Sequence, residues 1–193
     1  MSAIKSVAVF CGSRVGSDPA YAEAMRVLGS GLAKAGIKLI YGGGRIGLMG
    51  ILADATVAAG GQVSGVIPDF LQQLEVAHQG LSELTITDTM HTRKAKMAEL
   101  ADAFLTMPGG LGTLDETIEI ITWRQLKLHD KPILICDING SAHPLLAAIE
   151  ATVTMGFANP SARDLFEAVD GVVAVLARLT ALPATQGGTS ELV

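Results

Sequence analysis

The segment PGGLGTLDE, residues 108–116, sets two carboxylates, Asp115 and Glu116, directly behind a run of glycines and a threonine. Glycines let a backbone come close to a ligand, and a helix starting beside them offers unpaired N–H groups to an anion. Phosphate is the natural ligand of such a cradle. A carboxylate next to it can act as base, nucleophile or electrostatic stabiliser in the hydrolysis of something phosphorylated. Glu116 and Glu119 share one face of the expected helix, which Ile120 and Trp123 continue. A helix start also favours carboxylates for its own sake, so capping or a dipole interaction competes as an explanation of Asp115 and Glu116.

A second group, MHTRKAKM at residues 90–97, gathers Arg93, Lys94 and Lys96 in a chain of net charge −5. No Lys or Arg occurs between Arg45 and Arg93, so positive charge is concentrated here. A solvated helix face is the ordinary fate of such a run. Arg93, however, stands four residues before Met97, on the side expected to be buried. From there a guanidinium can grip phosphate bidentately, and Lys94 can add a point charge. Two more turns are rich in small residues, CGSR at 11–14 and GGGRIGLMG at 42–50. Each also reads as a tight connection. None of the turns is G-x-G-x-x-G and no GKS or GKT follows, which disfavours an ordinary dinucleotide fingerprint and a P-loop. Gly12, Ser13, Gly43, Gly44 and Met90 are candidates for further phosphate or sugar contacts. The reading needs no metal and no cofactor.

Short apolar runs must position these turns. Strands are expected at 6–10, 37–41, 62–68, 84–87, 103–107, 132–136 and 171–175. Between them run helices: 19–36, capped by Asp18 and closed by Gly36; 47–60; 89–102; 113–128; and 143–156. A weaker helix is expected at 162–168 and a last one ending near Leu182. Strand and helix alternate throughout. That pattern predicts an α/β fold, a Rossmann-like doubly wound parallel sheet flanked by helices, as one nucleotide-binding domain over 1–182. The polar tail 183–193 is expected to be disordered.

Composition narrows the classes. Of 193 residues, 49% are hydrophobic and only 17% charged, which excludes a disordered chain. So little charge has to cover so much apolar surface that a second copy is expected to bury some of it, as a homodimer. The acidic balance argues against nucleic acid as a partner. No apolar stretch approaches the roughly 20 residues of a membrane span, so a cytoplasmic protein is expected. Cys11 and Cys136 lie in apolar runs and read as buried strand thiols rather than a disulfide.

The two charged segments together resemble the LOG family, named for the plant Lonely Guy proteins: cytokinin riboside 5′-monophosphate phosphoribohydrolases that are often labelled lysine decarboxylases. Its signature PGG-x-GT-x-x-E is present at 108–116, and its companion M-H-x-R-K at 90–94. FCGSR, YGGG-x-x-GLMG at 41–50, Pro68 through Glu75 to His78, and ITW-x-QL at 121–126 extend the resemblance along nearly the whole chain. The resemblance implies Arg93 and Glu116 as the catalytic pair. It implies that Lys94, Gly109, Gly110, Leu111, Gly112, Thr113, Leu114, Asp115 and Thr122 line the nucleotide site, with Glu75 near the base or sugar. Two positions depart from the pattern: some relatives carry Glu at 115, and plant members often carry an aromatic at 111. The implied reaction cleaves the N-glycosidic bond of a purine nucleoside 5′-monophosphate, giving free base and ribose 5-phosphate. The competing reading is a nucleotide or molybdenum-cofactor carrier without catalysis. The decarboxylase label requires a Schiff-base lysine in a pyridoxal phosphate pocket, and no lysine here sits in an evident one.

Overall fold

A computed structural model of the protein describes residues 3–72, 78 and 80–184. Seven strands form one sheet: β1 (Ser6–Phe10), β2 (Lys38–Tyr41), β3 (Val63–Pro68), β4 (Glu83–Thr87), β5 (Ala103–Thr106), β6 (Ile133–Asp137) and β7 (Glu167–Asp170). Their order is β4-β3-β2-β1-β5-β6-β7, and every neighbouring pair is parallel. The chain lays strands outward from β1 to β4, then returns to the other side of β1 with β5. The strand order therefore reverses between β1 and β5, where a doubly wound sheet opens its ligand crevice.

Helices α1 (Pro19–Ala35), α2 (Gly47–Ala58) and α6 (Gly171–Ala181) cover one face. They bury Leu28, Leu32, Leu52, Val175 and Leu179 against it. Helices α3 (Met90–Leu100), α4 (Leu111–Gln125) and α5 (His143–Thr154) cover the other, around Met97, Phe104, Ile120 and Ile133. Parallel strands buried on both sides read as continuous apolar runs, which is why β1 and β6 stood out so clearly. The ends of α1 follow from its flanks. Asp18 accepts the Ala20 N–H at 2.8 Å, and Gly36 closes the helix at φ 68. Cys11 and Cys136 are buried and unbridged, and burial pushes the Cys136 thiol up to about 12. No helix of the described residues is long and apolar enough to cross a membrane.

The strand expected at 171–175 is wrong. The last strand is Glu167–Asp170, and the apolar run GVVAV opens α6. Gly171, at φ 77, makes the turn between the two. Val172, Val175 and Leu179 are buried while Val173 is exposed, a helical period that β-branched composition disguised. The weaker helix expected at 162–168 is a 3₁₀ segment, Pro160–Leu165. Within the tail expected from 183, Pro183 makes an antiparallel bridge with Ala3; residues 185–193 lie outside those described.

One buried group ties this fold to pH. His129 is buried against the Phe104 ring, and its Nε2 lies 3.0 Å from the Ile120 carbonyl. Burial lowers its pKa, so the folded protein favours the neutral ring. The unfolded chain takes up the proton first as pH falls. Stability from this group is thus full above the ordinary imidazole value of about 6.5 and is lost as pH drops through the lowered one. The melting temperature of the parent protein should fall further between pH 7 and 5 than that of His129→Gln. Parallel curves would mean that His129 is not the acid-sensitive group.

Candidate active site

Three turns meet at the carboxyl ends of β1, β5 and β6. They enclose a cleft of about 800 Å³. Gly12 and Ser13 line it from the first turn, Gly109, Gly110 and Leu111 from the second, and Asn139 to Ser141 from the third. The first two turns touch directly. Gly12 N–H donates to the Pro108 carbonyl at 3.0 Å, and a Cβ on Gly12 would stand 3.3 Å from Gly109 Cα. Glycine at both positions lets the turns close on each other at the point where strand order reverses.

Helix α4 opens at this cleft. Its N-cap is Gly110, and no side chain caps it. The first-turn N–H groups thus stand at the cleft mouth, with Leu111 lining it. The helix begins at Leu111, two residues before the start expected at Thr113. Gly112 is helical here, although it reads as part of the glycine turn. Asp115 and Glu116 consequently fall in the second turn, and the first turn holds no acidic residue. Dipole effects fade beyond the first turn, so the capping explanation loses its ground.

What α4 buries is unusual. Thr113, Glu116, Thr117, Ile120 and Ile121 form its inward stripe. Thr117 Oγ1 donates to the Thr113 carbonyl, and Thr106 Oγ1 lies 2.8 Å from Thr117 Oγ1. With the Thr117 hydrogen committed to Thr113, Thr106 is the donor in that pair. Glu116 sits within this stripe at 9% exposure. Leu111, Ile118 and Leu126 face outward, at 85%, 42% and 63%. A carboxylate among the buried residues departs from the usual order of an amphipathic helix, in which acidic side chains face water.

Helix α3 does the same with a cation. Thr89 caps it through a box with Thr92. Arg93 is buried at 4% exposure on the side expected. Its Nε donates to the Val66 carbonyl and its Nη2 to the Gly42 carbonyl, both at 3.1 Å. Met90, one turn earlier, places its sulfur 3.7 Å from Nη1. The guanidinium therefore sits at the carboxyl ends of β2 and β3. Lys94 ties α3 to α4: its Nζ is 3.1 Å from Asp115 Oδ2 and 3.0 Å from Glu119 Oε2. Burial alone would lower its pKa, but the two carboxylates outweigh burial and raise it. Arg93 and Glu116 are the sequence neighbours of this bridge.

The remaining candidates divide. Thr113 and Leu114 line a small recess behind the Pro108 turn. Thr122 is exposed on α4, its hydroxyl donating to the Ile118 carbonyl at 2.8 Å. Gly43 and Gly44 are not among the residues lining the cleft. Gly43, at φ 77, makes the turn after β2, and its carbonyl accepts the His78 N–H at 3.0 Å. Glu75 lies outside the described residues. Sequence reasoning missed Arg14, Tyr21, Asn139 and Ser141, all on the cleft wall. The Asn-Gly pair after β6 was the available signal: Asn139 holds φ 53 and donates to Asp18 Oδ2 at 2.9 Å.

No lysine lines the cleft among the described residues. The buried Lys131, whose pKa burial lowers, gives its ammonium to the Ala98 carbonyl at 2.7 Å. Ala98 lies near the C-terminus of α3, and Lys131 just precedes β6, so the pair sits at the amino edge of the sheet. That is the wrong edge for a Schiff base in the crevice.

The family model described as "Possible lysine decarboxylase" matches residues 49–179. "Cytokinin riboside 5'-monophosphate phosphoribohydrolase" of Rhodococcoides fascians is 43% identical over 89% of this chain and 89% of its own. The protein of that name, LOG1, from Arabidopsis thaliana is 43% identical over 85% of this chain and 77% of its own. Among solved structures, the molybdenum cofactor binding protein of Rippkaea orientalis superposes with a TM-score of 0.69, covering 93% of this chain and 96% of that one. At 17% identity that likeness concerns the fold alone. Matched over most of its length and sharing more than two fifths of its residues with these relatives, the chain belongs to the LOG family.

Proposed function

We propose that the protein hydrolyses the N-glycosidic bond of purine nucleoside 5′-monophosphates, cytokinin ribotides among them. The observation that carries this reading is the burial of one ionisable side chain on each of two linked helices. α3 buries Arg93 and α4 buries Glu116, and Lys94 ties the two helices together; neither residue is among those lining the cleft, whose glycine turn leads into α4. Burying an ionisable side chain is costly, and sites of chemistry are where that cost is repeatedly met. In this reading the 5′-phosphate rests against the PGGLGT backbone, which turns phosphate binding into positioning. The bond from C1′ to the base nitrogen breaks, its electron pair leaves with the base, and the sugar passes through an oxocarbenium-like state. Glu116 stabilises that positive charge or takes the proton of the attacking water. Arg93 anchors the substrate and assists departure of the base, and Lys94 holds the acidic face of α4 in place. The resemblance implies Glu75 near the base or sugar. A carrier without catalysis would have no use for a buried arginine on α3 and a buried glutamate on α4.

We further propose that residues 1–182 work as one domain, in the cytoplasm and as a homodimer. Two buried cysteines that form no disulfide suit a reducing compartment. The outward stripe of α4, Leu111, Ile118 and Leu126, supports a second copy packed on that helix, with Thr122 on the same stripe. Light scattering at micromolar concentration should give twice the chain mass; a monomer removes this claim. The test of the activity is steady-state turnover of AMP, isopentenyladenosine monophosphate and the other nucleoside monophosphates. Release of free base with ribose 5-phosphate is expected. Tight nucleotide binding with no base released would favour the carrier.

A further inference from the structure

Gly42 follows β2 directly, and two backbone carbonyls, its own and that of Val66, hold the Arg93 guanidinium. Its carbonyl accepts Nη2 at 3.1 Å, while Nε is held by the Val66 carbonyl at the same distance. A Cβ on Gly42 would overlap Nη2 of Arg93 and stand 3.2 Å from Cζ and 3.3 Å from Met49 Sδ. The turn itself does not demand glycine there. Gly43 carries the left-handed φ of 77, whereas Gly42 is not among the positive-φ residues. Alanine therefore fits the backbone at 42, and what it cannot fit beside is the guanidinium where it now lies.

We infer that Gly42 is a positioning residue for Arg93, its missing side chain being the slot that seats the guanidinium across the carboxyl ends of β2 and β3. Two carbonyls on neighbouring strands fix the plane of the planar fork, and the slot fixes its depth. A reacting group displaced by about 1 Å can lose a hundredfold in rate. The inference rests on the reading of Arg93 as part of the active site.

The test pairs two substitutions. Gly42→Ala should keep the fold, because the overlapping atoms are the far end of a flexible side chain. Its melting temperature should stay within about 4 °C of the parent. Its kcat/KM for AMP should fall by roughly tenfold to a hundredfold. Introduced into Arg93→Ala, the same change should cost less than about twofold, because the group it displaces is gone. Equal losses in both backgrounds would overturn the inference, since Gly42 would then act independently of Arg93. Full activity in Gly42→Ala alone would overturn it too, while leaving the role of Arg93 intact. Full activity in Arg93→Ala would instead defeat the functional reading, and this inference with it. If Gly42→Ala fails to fold, the double variant decides: recovery of the fold without the guanidinium supports the slot, and continued failure refutes it.

Discussion

Glu116→Gln should lower turnover by roughly a hundredfold or more and leave nucleotide binding in place. A positioned acid, base or charge typically contributes a hundredfold to ten-thousandfold, and the amide keeps the size of the carboxylate without its charge. In the proposed reading the phosphate rests elsewhere, on the Gly109–Gly110 turn and the start of α4, so affinity should survive. It holds or tightens slightly, because one negative charge near an anionic ligand has gone. The fold tolerates the change: Glu116 stands in the second turn of α4, beyond the reach of the helix dipole. Arg93→Ala should behave differently, losing affinity as well as rate, since the proposed role of Arg93 is both to anchor the substrate and to assist departure of the base. Turnover, nucleotide affinity and melting temperature of the two variants separate these roles. A folded Glu116→Gln enzyme with full activity would reduce Glu116 to a buried structural carboxylate and bring the carrier reading forward.

How far the sequence reveals this site depends on the distance between the residues involved. The apolar runs SVAVF and ILIC name β1 and β6 at once, because strands buried on both faces contain little else. Asp18-Pro19 and Gly36 mark both ends of α1 by local chemistry. Arg93 four residues before Met97 is a local fact as well, and its burial follows from it. The errors arise where two local rules conflict. GVVAV satisfies a strand by composition and a helix by period, and packing against the sheet decides for the helix. Gly112 reads as a turn residue yet lies inside α4, because the glycine that ends the turn is Gly110. What the sequence does not reveal is assembly. Tyr21 and Asn139 reach one cleft from α1 and from the turn after β6, and no spacing rule joins them. The GGG turn after β2 reads as a phosphate cradle; in the structure its Gly42 carbonyl also accepts from Arg93 and its Gly43 carbonyl from the His78 N–H. Such a role appears only once β2, β3 and α3 stand together.

Removing the 5′-phosphate from the substrate costs about as much as removing the charge of Glu116. The cleft at the β1–β5 reversal offers what a phosphate needs. The uncapped start of α4 presents backbone N–H groups at Leu111 and Gly112, and Gly12 and Gly109 let the backbone approach closely. Ser13, Ser141 and the cation of Arg14 stand on the same wall. Charge-assisted hydrogen bonds to a doubly charged group are about twice as strong as neutral ones. Losing them plausibly costs ~3 kcal/mol, and at tenfold per 1.4 kcal/mol this is on the order of a hundredfold in kcat/KM. The loss should appear in kcat as well as in KM, because in the proposed reading the phosphate positions C1′ relative to Glu116. Adenosine and AMP compared at matched concentrations test this, with ribose or ribose 5-phosphate and free adenine as products. Equal turnover of the two would remove the phosphate cradle from the site and leave the uncapped start of α4 without a role in this reaction.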